Sequence, residues 1–497
     1  MFQSLSRFSF LAAAAFAGWM MQATPSFAAA PDGFEDLAEA LLPTVVNVST
    51  TAKVAAAEHQ QLPPMPDLPP GSPFEDFFKD FYDQYKNQQP QQDEKVSALG
   101  SGFVIDAANG YIVTNNHVIK DADEIKVILH DDTTLDATLV GTDEKTDIAV
   151  LKVKSDKPLV AAKWGDSDAS RVGSWILAIG NPFGLGGTVT AGIVSARQRD
   201  INAGPYDDFI QTDASINRGN SGGPMFNMKG EVIGINTAIF SPSGGSVGIG
   251  FAIPSNIVKG VVDQLVKYGK TKRGWLGVKI QMVTPEIAES LALPKASGAL
   301  VAEVTEKGPS DLAGIKAGDV ILTFNGHDVE SSQKLPRMVA ETEIGKTVDV
   351  GVWRKGKLEQ VSVTLGQLEK AEETGMLGDK DGKGDDKKDT PKTPSTDLGS
   401  LGLGLAPLTD KDRDTYGLGK QIAGVLITDV KPDGAAAEKG LAAGDLIVEV
   451  DQQDVAAPQD VLDKVAAAQK AGHTSVLFFV ARKQDLRFVA IKLKKDK

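Results

Sequence analysis

Cysteine is absent from this chain of 497 residues, and histidine occurs only five times. Without thiols the protein can form no disulfide, no thiolate metal site and no cysteine nucleophile. No two histidines lie within ten residues of each other, so the helical HExxH pair of a zinc hydrolase is missing as well. We therefore expect neither a metal nor another cofactor.

Basic residues are outnumbered, since 52 lysines and arginines face 66 aspartates and glutamates, for a formal net charge of −14. A nucleic-acid partner held through its phosphates is therefore not expected. Beyond the N-terminal segment, no stretch is long and apolar enough to cross a bilayer, so we expect no integral membrane segment. Contact with a membrane surface is compatible with this composition.

The N-terminal segment has the pattern of a secretory signal peptide. Arg7 is the only charged residue before Asp32, and an apolar run from 8 to 21 follows it. Ser26-Phe27-Ala28 then supplies the small residues of a cleavage site. We predict a signal peptide over 1–28, cleaved after about Ala28, and export of the mature protein.

A β-rich domain over 29–265 follows. Apolar residues at 34, 37, 38 and 41 predict a short helix that ends at Pro43, with a strand after it. Between 98 and 254, short apolar runs alternate with turn residues, which is typical of a barrel or a sandwich.

Residues 53–95 interrupt that domain with a stretch rich in proline, glutamine and charge, which predicts a long loop. Within it, Ser72-Pro73-Phe74-Glu75 has the pattern of a helix start, and aromatic residues recur at helical spacing up to Tyr85. Such a stripe needs an apolar partner. We therefore predict a helix that docks on another surface, such as another subunit.

The C-terminal half contains an internal repeat. Glycines at 298, 308 and 314 and the Gly318-Asp319 pair recur 126 residues later, without a gap. Two copies of one small module are therefore predicted, over 272–366 and 398–495. The residues between them, 367–397, are rich in Lys, Asp, Gly, Thr and Pro, which predicts a flexible tether.

One serine lies in a setting that suits nucleophilic catalysis. Ser221 follows Gly219 and Asn220 and precedes Gly222-Gly223. Glycines on both sides let the backbone adopt unusual conformations and let other chain segments approach closely. Two backbone N–H groups must face the oxyanion that forms when a serine attacks a carbonyl. By position, Gly219 and Ser221 are the natural donors.

A serine hydroxyl needs a base, and the base needs a partner that orients it. His117 ends a strand-like run and is the better candidate base, while His130 lies in a polar turn. Asp147 opens an apolar strand, with Asp143 as a near rival. The order His117, Asp147, Ser221 is the chymotrypsin-type order, and an all-β setting is where that order is expected.

These segments together resemble the HtrA family of serine endoproteases, and within it the DegP-like periplasmic members. The resemblance covers nearly the whole predicted mature chain. It places the catalytic triad on His117, Asp147 and Ser221, against Asp143 and His130, and the oxyanion donors on Gly219 and Ser221. The segments that carry it are 114–118, 146–151, 178–184, 211–214 and 219–224, followed by the two repeats.

The resemblance implies a mostly β fold: a chymotrypsin-like double β-barrel protease domain followed by two PDZ domains. It also implies a periplasmic homotrimer, or a multiple of trimers, that binds unfolded or misfolded proteins and their C-termini. Segment 53–95 would be the family's long loop that plugs active sites in inactive oligomers. Loops 184–188, 198–206 and 242–246 would be those whose ordering switches activity.

The repeats resemble PDZ domains, in which a Φ-Gly-Φ loop (Φ is an apolar residue) presents N–H groups to a peptide carboxylate. Trp275-Leu276-Gly277-Val278 fits this loop in the first copy, and Leu403-Gly404-Leu405 fits it in the second. Arg273 is expected to add positive charge near the first loop.

Specificity is bounded by the position six residues before the serine, which forms the pocket floor in chymotrypsin-like folds. Here it is Ser215, so a lysine or arginine side chain would find no counter-charge. The family prefers small aliphatic side chains, and Ile216, Ile239 and Phe240 are the candidate walls. Asn220 replaces the aspartate that digestive relatives use in zymogen activation, so that route is closed.

Two functions follow. The first is an ATP-independent serine endopeptidase that degrades unfolded or damaged periplasmic proteins through an acyl-enzyme, with accompanying chaperone activity. The second is a PDZ-based chaperone or adaptor that holds unfolded envelope proteins, with proteolysis secondary. A complete triad favours the first, since a pure adaptor would not need one.

Overall fold

The computed structural model describes residues 33–53, 95–180, 187–201, 203–217, 219–241, 245–376, 396–419, 422–483 and 485–493. Within them the chain forms two barrels, a linking helix and two similar β-rich repeats. The predictions for the signal peptide, the aromatic stripe and parts of loops 184–188, 198–206 and 242–246 fall on residues outside these ranges.

The first barrel is closed and antiparallel, with strand order β1-β2-β3-β6-β5-β4. Its interior is filled by apolar side chains such as Val48, Ile112, Val127 and Leu151, none of which is more than 9% exposed. The strands are β1 (Val45–Lys53), β2 (Lys95–Asp106), β3 (Tyr111–Asn115), β4 (Glu124–Ile128), β5 (Thr134–Asp143) and β6 (Ile148–Val153).

Two short helices adjoin the strands of this barrel in the sequence. The predicted N-terminal helix is confirmed as α1 (Glu35–Leu41), and Pro43 lies in the 3-10 turn that ends it. Helix α2 (Asn116–Ile119) directly follows β3. Strand β1 pairs over its full length with β2, from Val45 opposite Phe103 to Lys53 opposite Lys95. The loop predicted over 53–95 therefore begins and ends on paired strands, so its two terminal residues are not loop.

The second barrel has strand order β11-β8-β9-β10-β13-β12-β7, and an additional β11–β12 pairing closes it. Phe226, Val232 and Ile235 are fully buried here, in a cluster that also contains Phe103 and Val113 of the first barrel. The strands are β7 (Lys163–Trp164), β8 (Trp175–Gly180), β9 (Thr188–Arg199), β10 (Phe209–Thr212), β11 (Pro224–Asn227), β12 (Glu231–Ile239) and β13 (Gly250–Pro254). The double barrel is the architecture that the resemblance implies.

Helix α3 (Ser255–Tyr268) leaves the second barrel and packs Val258, Val261 and Leu265 onto the core shared by both barrels. It ends at Gly269 in the left-handed region, with φ 70°. The chain then enters the first repeat.

The first repeat contains a sheet with strand order β15-β16-β17-β19-β20 and a two-stranded sheet formed by β14 and β21. Its strands are β14 (Gly274–Trp275), β15 (Val278–Met282), β16 (Ala299–Val304), β17 (Val320–Phe324), β18 (His327–Asp328), β19 (Thr347–Arg354), β20 (Lys357–Thr364) and β21 (Gly366–Gln367). Its helices are α4 (Pro285–Ser290), α5 (Pro309–Ala313), α6 (Lys334–Ala340) and α7 (Leu368–Glu373).

The second repeat has strand order β22-β23-β24-β25-β27-β28. Its strands are β22 (Thr396–Leu398), β23 (Leu403–Pro407), β24 (Val425–Val430), β25 (Leu446–Val450), β26 (Gln453–Asp454), β27 (Ser475–Arg482) and β28 (Asp485–Lys492). Its helices are α8 (Asp410–Tyr416), α9 (Ala435–Glu438) and α10 (Pro458–Lys470).

The same ion pair recurs in both repeats and explains why both contain the Gly-Asp pair. The buried Asp319 binds Arg354, and the buried Asp445 at the matching position binds Arg482. Each arginine also donates to a glycine carbonyl, that of Gly314 or of Gly440. The Gly-Asp pair seen in the sequence thus anchors a hairpin in each copy.

The two repeats pack against each other through an apolar cluster. Ile287 and Leu300 of the first repeat join Phe479 and Phe488 of the second, whose rings stack at a centroid distance of 4.4 Å. The Gln281 side chain donates to the carbonyl of Phe488 and accepts from its N–H. Polar and apolar contacts therefore fix the two repeats to each other.

The prediction of a flexible tether over 367–397 is wrong at both ends, since residues 396–397 belong to β22. Residues 366–367 form β21, α7 follows, and Ala371 on that helix is buried. Lys145 of the protease domain binds Glu372 at 2.7 Å. Contacts with the first repeat and with the protease domain thus stabilise β21 and α7, although the composition of this segment alone would not form a core. Residues 377–395 lie outside the described part of the chain.

The prediction for Arg273 is also wrong. Its side chain is buried and binds Asp143 of β5 through two nitrogens, at 2.9 and 2.5 Å. Its guanidinium carbon lies 4.9 Å from the centre of the Tyr206 ring, and burial raises the pKa of that tyrosine to about 12. Arg273 therefore joins the first repeat to the protease domain instead of facing a peptide carboxylate.

This ion pair sets a direction for both partners' pKa values. Burial acts to raise the pKa of Asp143, but the hydrogen bonds and charge of Arg273 outweigh it and hold that pKa below the usual 3.8. The same partner raises the pKa of Arg273 although burial opposes this. Because both groups are charged and mutually paired, removing one leaves the other buried without compensation.

We predict that Asp143→Ala lowers the stability of the protease–first-repeat unit by about 3–5 kcal/mol at neutral pH, because Arg273 loses its buried partner. Thermal unfolding compares it with Asp136→Ala, an exposed aspartate on the same strand. Because the pKa of Asp143 is lowered by folding, its contribution is complete above pH 3.8 and is lost as the pH falls through the lower folded value. An equal effect of both substitutions at neutral pH would contradict this assignment.

Candidate active site

Three candidate side chains lie where the two barrels meet. His117 is on α2, immediately after β3, and Asp147 immediately precedes β6. Ser221 lies in the turn before β11 of the second barrel. Pairing of β3 with β6 sets Asn115 opposite Ile148, which brings the residues that follow one strand and precede the other together.

His117 and Asp147 are in direct contact. Nδ1 of the imidazole lies 2.6 Å from Oδ2 of Asp147, and the backbone N–H of His117 donates to Oδ1 at 2.8 Å. Both carboxylate oxygens are thus engaged by one residue, which fixes the ring's orientation. Among the described residues, Nε2 of His117 has no hydrogen-bond partner, so it is the nitrogen available to exchange a proton.

Asp147 is held in an unusual backbone conformation, with φ 56°. Non-glycine residues adopt this left-handed region uncommonly, although aspartate tolerates it better than most. Its carbonyl accepts from the Asn115 side chain at 2.8 Å and from the N–H of Asn116 at 3.1 Å. These bonds from the end of β3 stabilise the turn that aims the carboxylate at His117.

Thr237 on β12 is a site residue that sequence reasoning missed. Its Oγ1 donates to Oδ2 of Asp147 at 2.9 Å, and its carbonyl accepts from Oγ of Ser221 at 3.4 Å. It therefore joins the aspartate of the first barrel to the serine of the second. No hydrogen bond joins Ser221 to His117 in this structure, and catalytic contacts in unliganded enzymes are often long or misaligned.

The Ser221 turn is held from the first barrel by Ser101, a second residue that the sequence did not reveal. The N–H of Ser101 donates to the carbonyl of Ser221 at 2.9 Å, and its hydroxyl donates to the carbonyl of Gly219 at 2.6 Å. These bonds engage the carbonyl oxygens of Gly219 and Ser221 and do not involve their N–H groups. Neither has an acceptor among the described residues.

Glycine is required at 222 by a close approach of the two barrels. Its φ is 86°, and a Cβ atom there would lie 2.2 Å from the carbonyl oxygen of Ser101 and 2.4 Å from Oγ1 of Thr114. Any side chain would push the serine turn away from the first barrel.

Asn220 is 1% exposed, and its Oδ1 has no hydrogen-bond partner. A Cβ at Gly180 would lie 2.6 Å from that oxygen, so the space around it is tight. An aspartate here would place an unpaired charge in the interior, where charge is costly. The neutral amide therefore suits the site.

The candidate pocket residues differ in exposure. Ile216 is 2% exposed and packs in a cluster with Ala214, and the half-buried Ile239 packs against the same cluster. Ser215 is exposed, and Phe240 is 61% exposed. Their place in a specificity pocket stays a prediction.

The rival residues have other surroundings. His130 is exposed in the turn between β4 and β5, and Asp143 is the buried partner of Arg273. The described residues contain no group of three side chains that could hold a metal ion. Among them, no helix is both long enough and apolar enough to span a bilayer.

In the second repeat, the structural counterpart of the first Φ-Gly-Φ loop begins two residues before the predicted Leu403-Gly404-Leu405. In the first repeat Gly277 has φ 78°, and its carbonyl accepts from the N–H of Thr305. Gly402 matches both features, with φ 74° and a carbonyl that accepts from Lys431. Leu403, Gly404 and Leu405 instead lie buried in β23. The second loop is therefore Leu401-Gly402-Leu403.

Comparison with known families agrees with this architecture. A model described as a trypsin-like peptidase domain matches residues 100–235. A model described as a PDZ domain matches twice, over 274–365 and 399–493. The two repeats are therefore PDZ domains, and the double barrel is a trypsin-like protease domain.

Relatives match over nearly the whole chain. A protein of Brucella suis biovar 1 (strain 1330), named "probable periplasmic serine endoprotease DegP-like", is 46% identical over 93% of this chain and 90% of its own length. A protein of Pseudomonas fulva (strain 12-X) with the same name is 41% identical over 97% and 98%.

A solved structure is similar as well. The HtrA-type protease AlgW with a decapeptide is 40% identical and covers 67% of this chain and 98% of its own, with a TM-score of 0.55. With these relatives and both domain types in place, the chain belongs to the HtrA family, as a DegP-like serine endopeptidase with two PDZ domains.

Proposed function

We propose that the protein is an ATP-independent endopeptidase that degrades unfolded or damaged proteins through a Ser-His-Asp acyl-enzyme mechanism. The observation that carries this proposal is the contact of His117 with Asp147 at 2.6 Å, beside a serine turn with two N–H groups that have no acceptor among the described residues. A hydroxyl nucleophile, an oriented base and two oxyanion donors are the parts that acyl transfer needs.

Each residue has a role in this proposal. Ser221 attacks the scissile carbonyl, and Nε2 of His117 takes its proton and later gives it to the leaving amine. Asp147 fixes the tautomer through Nδ1 and stabilises the imidazolium. The N–H groups of Gly219 and Ser221 stabilise the oxyanion. Thr237 stabilises the carboxylate of Asp147 by a hydrogen bond and holds it toward the imidazole.

Attack requires the Ser221 hydroxyl to change partner. It now donates to the carbonyl of Thr237 at 3.4 Å, which is a weak contact. A rotation about the Cα–Cβ bond would break that contact and present Oγ to His117. Substrate binding beside Ser221 is the expected trigger, as active-site hydrogen bonds commonly tighten in the substrate complex.

The substrates follow from the accessory domains and the relatives. The PDZ loops at 275–278 and 401–403 would present N–H groups to the C-terminal carboxylates of unfolded chains. The names of the relatives place those proteins in the periplasm, and the predicted signal peptide agrees with export of this one. Chaperone activity and assembly into trimers, or multiples of trimers, belong to the same proposal.

We predict that Ser221→Ala abolishes degradation of an unfolded, cysteine-free model protein in the absence of ATP. Loss of a triad member leaves about 10³–10⁴-fold acceleration over water, which such an assay cannot detect. Mass spectrometry of the wild-type fragments should show cuts after Val, Ala or Ile, the small aliphatic residues that the family prefers. Cuts after Lys or Arg are not expected, since Ser215 would offer a basic side chain no counter-charge.

Ser362→Ala, at an exposed serine of the first PDZ domain, is the matched control and should cleave normally. Equal cleavage by wild type and Ser221→Ala would exclude Ser221 as the nucleophile. No cleavage by wild type, together with suppressed aggregation of the substrate, would favour the adaptor function over the protease function.

We also predict that Thr237→Val lowers kcat by roughly tenfold to a hundredfold, because a hydrogen bond to a charged group is worth about 1.5–3 kcal/mol. Thr237→Ser, which keeps the hydroxyl, should restore most of the rate. KM should change little, since Oγ1 bonds Asp147 and not the substrate.

Steady-state kinetics on a peptide substrate provide the measurement. Thr138→Val is the control, because that hydroxyl makes only a long bond to a carbonyl on the barrel surface. Wild-type kcat in Thr237→Val would show that the bond to Asp147 has no part in catalysis.

A further inference from the structure

The two PDZ domains differ at the edge of the strand where a peptide would add. In the first domain, β15 pairs only with β16 among the described strands, so its other edge is open. In the second domain, the matching strand β23 pairs with β24 on one side and with β22 on the other. The residues just before the second loop therefore occupy the position of an added strand.

Strand β22 has the direction and length of a bound peptide end. It runs antiparallel to β23, with Thr396 opposite Leu405, Asp397 opposite Gly404 and Leu398 opposite Leu403. Its last residue, Leu398, therefore lies at the Φ-Gly-Φ loop. A peptide added by β-augmentation to a PDZ domain places its C-terminal residue at this loop.

The backbone of Leu398 also makes the bonds that a peptide carboxylate would make. Its carbonyl oxygen accepts from the N–H of Leu401 at 3.1 Å and from the N–H of Gly402 at 3.0 Å. In the first domain, the matching N–H groups of Leu276 and Gly277 have no acceptor among the described residues. The second loop is thus satisfied internally, and the first loop is available.

The side chain of Leu398 completes the match. It is 5% exposed and belongs to the apolar cluster that contains Leu401 and Leu403 of the loop and Val461 and Val465 of helix α10. Thr396 and Asp397 are exposed, and Asp397 binds Lys431 at 3.2 Å on the surface. Only the terminal leucine of the three is anchored in the core, as the last residue of a peptide would be.

We propose that the second PDZ domain is closed by its own chain: Thr396-Asp397-Leu398 is an internal ligand that must leave before the groove can bind the C-terminus of another protein. The proposal rests on the proposed recognition of C-termini by these domains. Its ligand class is a peptide with a free carboxylate and an aliphatic last residue, which replaces the Leu398 carbonyl and side chain.

Competition explains why the groove would be silent in the resting protein. Leu398 is joined to the loop by only two residues, Gly399 and Ser400, so its effective concentration is in the millimolar range or above. A free peptide binds only the open fraction of molecules, and its apparent Kd rises in proportion. Burial of one leucine side chain changes such an equilibrium by about tenfold to a hundredfold.

The test uses the full chain and a photo-crosslinking peptide that ends in a free-carboxylate valine, with cross-linked sites mapped by mass spectrometry. In wild type we expect labelling of the first domain near β15 and little labelling near β23. Leu398→Ser should raise labelling of the second domain at least about tenfold. Leu358→Ser, at an exposed leucine, is the matched control.

A second variant guards against loss of folding in Leu398→Ser. Adjacent residues of an antiparallel strand alternate in donating toward the neighbouring strand. Thr396→Pro/Asp397→Pro therefore removes at least one ladder donor while it leaves every core side chain in place. It should open the groove as Leu398→Ser does, whereas Thr396→Ala/Asp397→Ala should not.

Labelling of the second domain in both opening variants, and its loss with an amidated peptide, would support the proposal. The proposal would be overturned if the second domain were labelled as strongly in wild type as in the opening variants. It would also be overturned if that domain were not labelled in opening variants that remain folded. The first domain reports separately on C-terminus recognition. In the opening variants, labelling of the first domain without the second rejects only the internal ligand, and absence of labelling from both domains rejects both proposals.

Discussion

The Ser221 turn belongs to the second barrel, but residues of the first barrel hold it in place. Ser101 on β2 binds the carbonyls of Gly219 and Ser221, and the close approach at Gly222 leaves no room for a side chain between the barrels. Those bonds engage the carbonyl oxygens, and the N–H groups of Gly219 and Ser221 are the ones we propose as oxyanion donors. The serine can therefore be positioned against His117 only while the two barrels stay packed.

The protease domain contacts the first PDZ domain close to the catalytic residues in the sequence. Asp143, which ends β5, binds Arg273 at the entry to that domain, while Asp147 four residues later meets His117. Tyr206 packs on Arg273, and Arg337 on α6 binds Asp208, the residue just before β10. The first PDZ domain thus contacts the segment before β10 as well as the strand end that leads into the turn with Asp147. Among the described residues, the second PDZ domain packs onto the first through the apolar cluster around Phe479 and Phe488.

Local patterns were enough to predict much of this protein. Short apolar runs predicted a barrel or a sandwich, and glycines spaced 126 residues apart predicted two repeats. The motifs around His117, Asp147 and Ser221 pointed to the HtrA family, and that resemblance implied the double barrel. What could not be predicted depends on contacts between distant segments. Thr237 reaches Asp147 across 90 residues and Arg273 reaches Asp143 across 130, and no local signal marks either contact. The second PDZ loop was misplaced because Leu401-Gly402-Leu403 and Leu403-Gly404-Leu405 share one sequence pattern. The backbone separates them, through the positive φ of Gly402 and the bond that its carbonyl accepts from Lys431.

The most direct test of the central claim, that Ser221 is a nucleophile activated by His117, is covalent labelling of the folded protein with a fluorophosphonate that reacts only with activated serines. Peptide mapping should find one phosphonylated residue, Ser221, in wild type, and the adduct should disappear in His117→Ala while the protein stays folded. An adduct on another serine, or one on Ser221 that forms equally fast without His117, would contradict the account.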